Sequence, residues 1–340
     1  MKKFPIYMLS RPSTFQLIQR SERPLADDFV RIENQFCGIC GSDISTFEGR
    51  RNTSYPLTMG HEFVAKVSAL GRNAKGFSVG DLVTSDLNYR CLECLPCQKG
   101  KTHLCEKGQI GLFSNRAFSL FSDIHTSYLE KIPYPSPEPF LTLAEPLSCV
   151  LHAYKKVCSA SADRVLVIGA GGLGLCLSFL LVHYAHCPFD IVEQSKSRRE
   201  KIRSCLDRDS RALYRPEGQY DLVFDVSGTP DGLLLACQSI ANGGILCSMS
   251  HLDGYGDSSF LLPELTRKDA TLHLSYLNGN RENLRESISL LVNKWAGNWN
   301  LLLNTHRIKD LQTTFVSRRD SIYNKDILDL SPLHSNCPSP

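Results

Sequence analysis

The sequence carries little net charge and has no basic run. Its 340 residues include 38 lysines and arginines against 35 aspartates and glutamates, a formal net charge of +3. A surplus this small does not indicate binding to a polyanion, and no basic cluster with interleaved aromatic residues occurs. We therefore expect no nucleic-acid partner. The chain also has no internal repeat.

We expect no secretory signal either. The N-terminal stretch MKKFPIYMLSRPS contains two lysines, but its apolar part is short and is interrupted by Pro5. The chain nevertheless contains 14 cysteines, scattered along its length. Without a signal, this pattern favours a reducing compartment. We expect a cytoplasmic protein with metal-bound or inert thiols rather than a disulfide framework.

Long hydrophobic runs are almost absent, and one segment alone reaches the length of a membrane span. Residues 165–182, VLVIGAGGLGLCLSFLLV, carry no charge over eighteen positions. Four glycines, all within the first ten positions of the segment, follow a VLVI run. That order is typical of a buried strand, a tight turn and a buried helix. We expect no membrane segment.

The length of the chain favours two domains, and the sequence pattern changes at about residue 164. Before that point, short β-like runs alternate with Gly and Pro, which predicts a β-rich, partly barrel-like domain. After it, strand-like runs alternate with helical ones, which predicts an α/β fold with a doubly wound parallel sheet. The chain then becomes helical and ends in a strand-like KDILDL. Residues 331–340 are predicted to be a disordered tail.

Four cysteines lie within the stretch CLECLPCQKGKTHLC, residues 91–105. Their spacing is Cys91-x2-Cys94-x2-Cys97-x7-Cys105, which lets one loop wrap a zinc ion in a tetrahedron of thiolates. An iron–sulfur cluster can also use four cysteines with such spacing. Either way, four protein ligands close the site to substrate. The sequence therefore predicts a structural metal site, here most simply zinc, and places the chemistry elsewhere.

A second group of candidate ligands comes earlier in the chain. CGICGSD (37–43) contains Cys40, and GHEF (60–63) contains His61 followed by Glu62. A mixed sulfur and nitrogen pair suits a zinc ion that keeps an open coordination position. Each fragment alone is weak, because a single Cys or His is more often a core residue. The interpretation as a zinc site depends on these fragments occurring together with the nucleotide-binding motif that follows.

That motif is VIGAGGLG, which gives Gly169-x-Gly171-x-x-Gly174 between a strand and a helix. Glycines at this spacing allow a tight turn, close approach of a pyrophosphate and close helix packing. The candidate cofactor-binding residues of the turn are Gly169, Gly171, Gly172, Leu173 and Gly174. A dinucleotide-binding domain is therefore predicted.

An acidic residue follows at the expected distance from the glycines. Glu193 stands nineteen residues past Gly174, at the end of the strand-like FDIVEQ. A carboxylate there accepts a hydrogen bond from the ribose 2′-hydroxyl and repels a 2′-phosphate, which favours NAD over NADP. This preference for NAD is weakened by three basic residues, Lys196, Arg198 and Arg199, unless they are simply the solvated start of a helix. Arg198 is kept as a candidate cofactor contact.

Taken together, these motifs resemble the zinc-dependent medium-chain alcohol dehydrogenases. AEPLS (144–148) resembles their polyol, sorbitol and threonine dehydrogenase branch, in which a Glu stands where simple alcohol dehydrogenases have a ligand cysteine. The resemblance runs from about residue 5 to KDILDL. It implies a GroES-like catalytic domain over 1–150, a Rossmann domain over 151–285, and a return to the catalytic domain over 286–330.

The resemblance also implies roles for individual residues around a catalytic zinc. Cys40 and His61 would be direct ligands, and Glu62 or Glu145 would supply the third, directly or through water. The four-cysteine loop would hold the structural zinc, which makes two Zn²⁺ per chain. Zinc lowers the pKa of a bound hydroxyl, and hydride then passes from carbon to the nicotinamide.

Further roles follow from the same resemblance. Ser42 would take the proton from the alcohol, and Asp43 would hold the ring of His61. Val226, Ser227 and Gly228, in DVSGTP, resemble the loop over the nicotinamide half of the cofactor.

The sequence departs from the family at four places. Ser45 stands where many relatives have a histidine that ends the proton relay, and Ala65 stands where a glycine is usual. NRAFSLF (115–121) replaces a stretch that lines the active site in relatives. SYLNGNREN (275–283) departs near expected cofactor or subunit contacts.

The function implied is NAD-dependent interconversion of a secondary hydroxyl and a ketone. The substrate would be a polyol, sugar acid, sugar phosphate or (amino)cyclitol, and the enzyme a homodimer or homotetramer. The alternative is a non-catalytic or regulatory member of the fold that holds only nucleotide and structural zinc. Zinc-free quinone reductase chemistry is disfavoured by both sets of metal ligands.

Overall fold

The computed structural model describes residues 3–86, 90–107, 116–158, 162–250, 259, 261–318 and 321–334. Within these ranges no helix is long and apolar enough to cross a membrane. The uncharged segment 165–182 divides as predicted into strand β8 (Val165–Ile168), a turn and helix α4 (Gly172–Leu180). The helix ends slightly earlier than predicted and continues as a π-helical turn, Leu181–Ala185.

The first part of the chain forms an antiparallel hairpin and most of a seven-stranded sheet. The hairpin consists of β1 (Lys3–Arg11) and β2 (Thr14–Ser21). The sheet has the order β14-β15-β3-β4-β5-β7, with β6 paired to β3. Its strands are β3 (Phe29–Gly38), β4 (Glu62–Leu70), β5 (Leu82–Ser85), β6 (Phe121–His125), β7 (Leu129–Lys131), β14 (Leu303–Arg307) and β15 (Lys325–Asp329).

The C-terminal strands therefore return to the sheet that the chain left about 170 residues earlier. Strand β15 pairs antiparallel with β3, so that Ile327 lies opposite Gly38. A short helix, α10 (Ser331–His334), follows β15. The predicted disordered tail thus begins with ordered backbone, and its remainder, 335–340, lies outside the described residues.

The central part of the chain forms a six-stranded, all-parallel sheet with the order β10-β9-β8-β11-β12-β13. The strands beside β8 are β9 (Asp190–Val192), β10 (Arg211–Leu213), β11 (Tyr220–Asp225), β12 (Ile240–Ser248) and β13 (Thr271–Leu274). Chain order reverses between β8 and β11. Dinucleotides bind at such a reversal in doubly wound sheets. The predicted α/β fold, a β-rich domain plus a Rossmann-type sheet, is confirmed.

Helices cover the sheets and connect them. They are α1 (Gly41–Phe47), α2 (Leu95–Gln98), α3 (Ala144–Lys155), α5 (Lys196–Arg203), α6 (Pro230–Ser239), α7 (Leu261–Arg267), α8 (Arg281–Lys294) and α9 (Leu311–Ser317). Helices α3, α4 and α8 share one apolar core with β8 and β9. The Ser287 hydroxyl on α8 donates to the Ala144 carbonyl at 2.6 Å. This contact holds the start of α3, which carries Glu145.

Candidate metal and cofactor sites

Cys40 stands at the N-terminus of α1, where its backbone is fixed by the helix itself. The Asp43 carboxylate accepts a hydrogen bond from the Cys40 N–H at 3.0 Å, a reciprocal contact of the capping-box kind. The loop between β3 and α1 is therefore rigid at the position from which the Cys40 thiol projects.

His61 directly precedes strand β4 and Glu62 begins it; the two residues are 2% and 1% exposed. Their ligand atoms and the Cys40 sulfur all lie within 4.8 Å of one another. One sulfur, one imidazole nitrogen and one carboxylate oxygen are ligands that zinc accepts while it keeps a fourth position open. The residues that the sequence placed in separate fragments thus converge, and the donor set fits a catalytic type of zinc site.

Asp43 faces the ring of His61. Its Oδ1 lies 3.6 Å from His61 Nδ1, slightly beyond hydrogen-bond distance, and that nitrogen has no other partner among the described residues. Burial lowers the pKa of His61, but the Asp43 carboxylate and Cys40 outweigh it, so the pKa lies above its ordinary value. The carboxylate is in position to orient the ring, as metal-bound histidines generally require.

Glu145 lies beside this set but is not part of it. It is buried at the start of α3, and its Oε1 accepts from the Cys149 thiol at 3.3 Å. Burial raises the pKa of Glu145 to about 7, against the opposing charge of His61. The ligand atoms within 4.8 Å of one another belong to Cys40, His61 and Glu62, so the structure brings Glu62 rather than Glu145 into the group.

Lys325 is a functional candidate that sequence reasoning missed. It begins β15, is almost fully buried, forms an ion pair with Glu62 and donates to the Ile39 carbonyl at 2.9 Å. A Cβ placed on Gly172 would come within 3.2 Å of its Nζ. One lysine therefore touches both the candidate metal ligands and the glycine turn. A single lysine before an apolar strand carries no sequence signal for such a position.

The four-cysteine loop closes on itself around α2. The sulfurs of Cys91, Cys94, Cys97 and Cys105 lie within 4.8 Å of one another. Backbone N–H groups of Glu93 and Cys94 donate to the Cys91 sulfur at 3.4 and 3.3 Å. Such bonds favour thiolates, which are the form that binds metal.

The pKa values of these thiols differ widely. Hydrogen bonds from the backbone of Glu93 and Cys94 lower the pKa of Cys91 to about 6. Burial, with the neighbouring sulfurs, raises the pKa of Cys97 to about 12. Four thiolates this close repel one another, and a divalent cation removes the repulsion. The loop therefore fits a closed, structural zinc site.

The glycine turn has the conformation that a dinucleotide motif needs. Gly169 has a φ of +100°, which L side chains rarely adopt. A Cβ on Gly174 would overlap the Gly169 carbonyl oxygen, whereas a Cβ on Gly171 would meet no atom within 4 Å. Leu173 packs on the core beneath the turn. The turn is therefore tight on its inner side and open at Gly171, where the N-terminus of α4 begins.

Comparison with known proteins shows which enzymes the chain is similar to. The family model described as Alcohol dehydrogenase GroES-like domain matches residues 26–134. A sorbitol dehydrogenase of Halalkalibacterium halodurans is 36% identical over 149 residues, 43% of either chain. An L-galactonate-5-dehydrogenase of Escherichia coli is 25% identical over 342 residues, covering 96% of this chain and 98% of that protein.

Residues 26–134 belong to the alcohol dehydrogenase GroES-like domain family, and the chain as a whole is similar to medium-chain zinc alcohol dehydrogenases.

The fold of the chain is also seen in solved structures. The crystal structure of galactitol-1-phosphate dehydrogenase from Escherichia coli superposes with a TM-score of 0.79 at 19% identity. It covers 96% of this chain and 100% of that one. The chain spans about half the length of several curated relatives that it matches.

Glu193 is buried at the end of β9 and already has partners. Its Oε2 accepts from the Ala170 N–H at 3.0 Å, and its Oε1 accepts from Ser195 N–H and Arg198 Nη2, each at 2.8 Å. Arg198 therefore neutralises the acid that was expected to select NAD. Arg199 instead donates to the Glu193 carbonyl at 2.6 Å.

Residues after β11 lie at the same edge of the parallel sheet as the glycine turn. A Cβ on Gly169 would come within 2.9 Å of the Ser227 Cα, and Val226 packs next to Gly174. Ser227 donates its hydroxyl to Asp225 at 2.7 Å, and the Gly228 N–H donates to the Ser250 hydroxyl at 2.9 Å. The structure brings Val226, Ser227 and Gly228 to the crevice where the cofactor was predicted.

The structure shows the burial and contacts of several residues at or near the positions where the sequence departs from the family pattern. Ser42 is half-buried on α1, and Ser45 accepts a hydrogen bond from Arg50 at 3.1 Å. Ala65 is fully buried in β4, where a small residue fits. Of NRAFSLF, residue 115 lies outside the described residues, and residues 117–120 are buried.

The segment 275–283 joins the two sheets. Asn278 donates to the Asp86 carboxylate at 3.1 Å. Arg281 forms an ion pair with Glu130 and donates to the Leu129 carbonyl at 2.6 Å. The departure in this segment therefore packs against β7.

Proposed function

We propose that this chain is a zinc- and NAD-dependent dehydrogenase that transfers hydride between a secondary hydroxyl and the nicotinamide. Its substrate would be a polyhydroxy compound: a polyol, sugar acid, sugar phosphate or (amino)cyclitol. The observation that carries the proposal is the contact of Lys325 with both the candidate metal ligands and the glycine turn. The lysine pairs with Glu62 beside Cys40 and His61, and it lies against Gly172 of the dinucleotide turn. Metal ligands and cofactor turn thus share one crevice.

Residues of the chain have defined roles in this proposal. Cys40, His61 and Glu62 would hold the catalytic zinc, and the four cysteines of the α2 loop would hold the structural one. Bound zinc would supply Lewis acidity toward a hydroxyl, and bound NAD would accept the hydride. Asp43 would keep the His61 ring in place. The Ser42 hydroxyl, half-buried on α1, would accept the proton of the substrate hydroxyl at its Oγ.

The preference for NAD is supported by the position of Glu193 at the end of β9. A carboxylate at that position accepts from the ribose 2′-hydroxyl. Arg198, paired with Glu193, reduces its repulsion of a 2′-phosphate, so NADP belongs in every assay. We also propose a homodimer or homotetramer, as the family resemblance implies, which light scattering of the purified protein measures directly.

The test is nicotinamide absorbance with the purified chain and a panel of polyols, sugar acids, sugar phosphates, aminocyclitols and simple alcohols. NAD and NADP are run in parallel. We expect turnover with a polyhydroxy class, and loss of turnover in Cys40→Ser. Cys158→Ser, which removes an exposed thiol, is the matched control. No turnover with any class, together with zinc at the cysteine loop alone, would support the non-catalytic alternative instead.

A further inference from the structure

A cavity lined by arginines lies between the β1–β2 hairpin and the segment that leads to His61. Its volume is about 680 Å³, and Arg20, Arg23 and Arg116 line it together with Met8 and Thr58. None of its lining residues is acidic. A smaller cavity of about 240 Å³ adjoins it and shares the same three arginines. We call the larger one the arginine cavity.

A fourth arginine, Arg31, lines the smaller adjoining cavity, and its charge is balanced by carboxylates. It is buried in β3, binds Asp123 through two hydrogen bonds of 2.8 and 2.9 Å, and forms an ion pair with Glu22. Its Nη2 also donates to the Arg23 carbonyl at 2.7 Å. Arg31 is therefore balanced by two carboxylates, and it holds the backbone of Arg23 at the rim.

Arg20 and Arg23 are not balanced in this way. Among the residues that the structure describes, neither forms an ion pair, and both face the same cavity. Burial lowers the pKa of Arg20, and the charges of Arg116 and Arg23 lower it further, only partly offset by Asp123. Like charges gathered around one cavity repel each other, and a bound anion relieves that repulsion.

Two backbone hydrogen bonds connect the segment of Arg116 with the segment that leads to His61. Ala117 N–H donates to the Gly60 carbonyl at 3.0 Å, and Phe118 N–H donates to the Met59 carbonyl at 2.9 Å. Arg116 and His61 each directly adjoin one member of the bonded pair Ala117–Gly60, so the arginine cavity lies near the candidate metal ligands. Ser119 and Ser122 hydroxyls donate to the Arg116 carbonyl at 2.6 and 3.3 Å and fix its backbone.

We propose that the arginine cavity binds the terminal anionic group of the substrate, a phosphate monoester or a carboxylate. Guanidinium groups bind both through paired, charge-assisted hydrogen bonds. With its anionic group bound at Arg20, Arg23 and Arg116, an extended polyhydroxy substrate would direct its hydroxyl groups toward His61. This inference rests on the proposed function, and it narrows the substrate class to polyol phosphates and sugar acids.

The kinetic test compares kcat/KM for matched substrates: a polyol, its terminal phosphate and the corresponding aldonate. We expect the wild-type chain to prefer one or both anionic forms. In the double variant Arg20→Gln/Arg23→Gln the ratio of anionic to neutral kcat/KM should fall at least about tenfold, because each charged hydrogen bond contributes about that factor. Arg11→Gln, which removes an exposed charge from the same hairpin, should leave the ratio within about twofold.

A binding test examines the arginine cavity independently of catalysis. The melting temperature of the full chain is measured in inorganic phosphate and in sodium chloride of equal ionic strength. Phosphate should raise it in wild type and in Arg11→Gln, but not in the double variant, since only a bound anion stabilises the folded state. If no substrate is turned over, a phosphate effect lost in the double variant still supports the cavity.

Three results would overturn the inference. They are an unchanged ratio in the double variant, an equal fall in Arg11→Gln, and a phosphate effect no larger than that of sodium chloride. A preference for the phosphate over the aldonate, or the reverse, supports the inference and identifies which anion the arginine cavity binds.

Discussion

Lys325 and Glu62 form a buried ion pair that joins the last strand of the large sheet to the first residue of β4. Both side chains are at most 3% exposed, and the lysine reaches past Glu62 to the glycine turn. The pair brings a positive charge to the junction of the candidate metal and cofactor sites. That junction is complete only when β15 has joined β3, so the site depends on contact between the two ends of the chain.

Replacing Lys325 with Met should be strongly destabilising. The substitution leaves Glu62 buried and charged without its partner, which typically costs about 3–5 kcal/mol of folding free energy. The measurement is the urea midpoint and slope in the Cys40→Ser background, which is expected to lack the zinc ion that would otherwise balance the Glu62 charge. Lys196→Met is the matched control, because Lys196 forms only an exposed pair with Glu200 and should change stability by less than about 1 kcal/mol. Equal stability losses in the two variants would contradict a buried role for Lys325.

Cysteine replacement should separate the two candidate zinc sites. Cys40→Ser is expected to lose the ion held with His61 and Glu62 and to abolish turnover while the fold persists. Cys97→Ser is expected to lose the ion of the α2 loop and to lower the melting temperature, since a closed metal site stabilises the loop. Elemental analysis of each purified variant measures the metal. Full zinc content in Cys40→Ser would show that the ligand set is wrongly assigned.

Alanine substitution at two glycines of the dinucleotide turn should affect different properties: stability at Gly174 and NAD affinity at Gly171. Gly174→Ala places a methyl group against the Gly169 carbonyl, so we expect a loss of stability of about 1–3 kcal/mol. Gly171→Ala has room for the methyl group and an ordinary φ of −74°, so stability should change by less than about 0.5 kcal/mol. NAD affinity should nevertheless fall at least about tenfold, because the pyrophosphate needs that space.

The measurements for this pair are the melting temperature without cofactor and the Kd for NAD by calorimetry. A Gly171→Ala variant that binds NAD like wild type would place the pyrophosphate elsewhere.

Asp190 should make stability depend on pH in the acidic range. Burial raises the pKa of Asp190, but hydrogen bonds from Arg211 and Tyr220, at 2.7–2.8 Å, lower it more, so the pKa lies below its ordinary value of 3.8. Because the folded pKa is depressed, the carboxylate stabilises the fold above pH 3.8. This contribution is lost as the pH falls through the folded pKa.

Asp190→Asn should therefore be less stable than wild type near neutral pH, and the difference should shrink below about pH 4. Denaturant midpoints across the pH range measure this. Asp209→Asn, an exposed acid nearby, should show no such convergence. A constant difference between Asp190→Asn and wild type at every pH would rule out the carboxylate as its source.

The sequence predicted those parts of the site that depend on neighbours along the chain. The strand, glycine turn and helix around Gly169 follow from local steric demands, and the α2 loop follows from cysteine spacing. Several short strands were not predicted, among them β6, β7, β10 and β13. Three to five residues with mixed burial give no clear alternation.

The choice between Glu62 and Glu145 as the third member of the ligand set was left open by the sequence. Both are acids beside a recognisable motif, and both are buried. The structure separates them by position: Glu62 begins a strand beside Cys40, whereas Glu145 begins α3 and turns one oxygen to Cys149. Distances between segments more than 80 residues apart are set by packing, which no local pattern records.

By itself the sequence determined the kinds of chemistry available: closely spaced thiols for one metal, Cys40 with the His61–Glu62 pair for another, and a turn that only glycines can form. Those features are local, because spacing and backbone sterics act over a few residues. Only the tertiary structure decided that Lys325 pairs with Glu62 and that Arg20, Arg23 and Arg116 share one cavity. These residues come from strands and loops far apart in sequence, and they meet only because sheet pairing and burial bring them together.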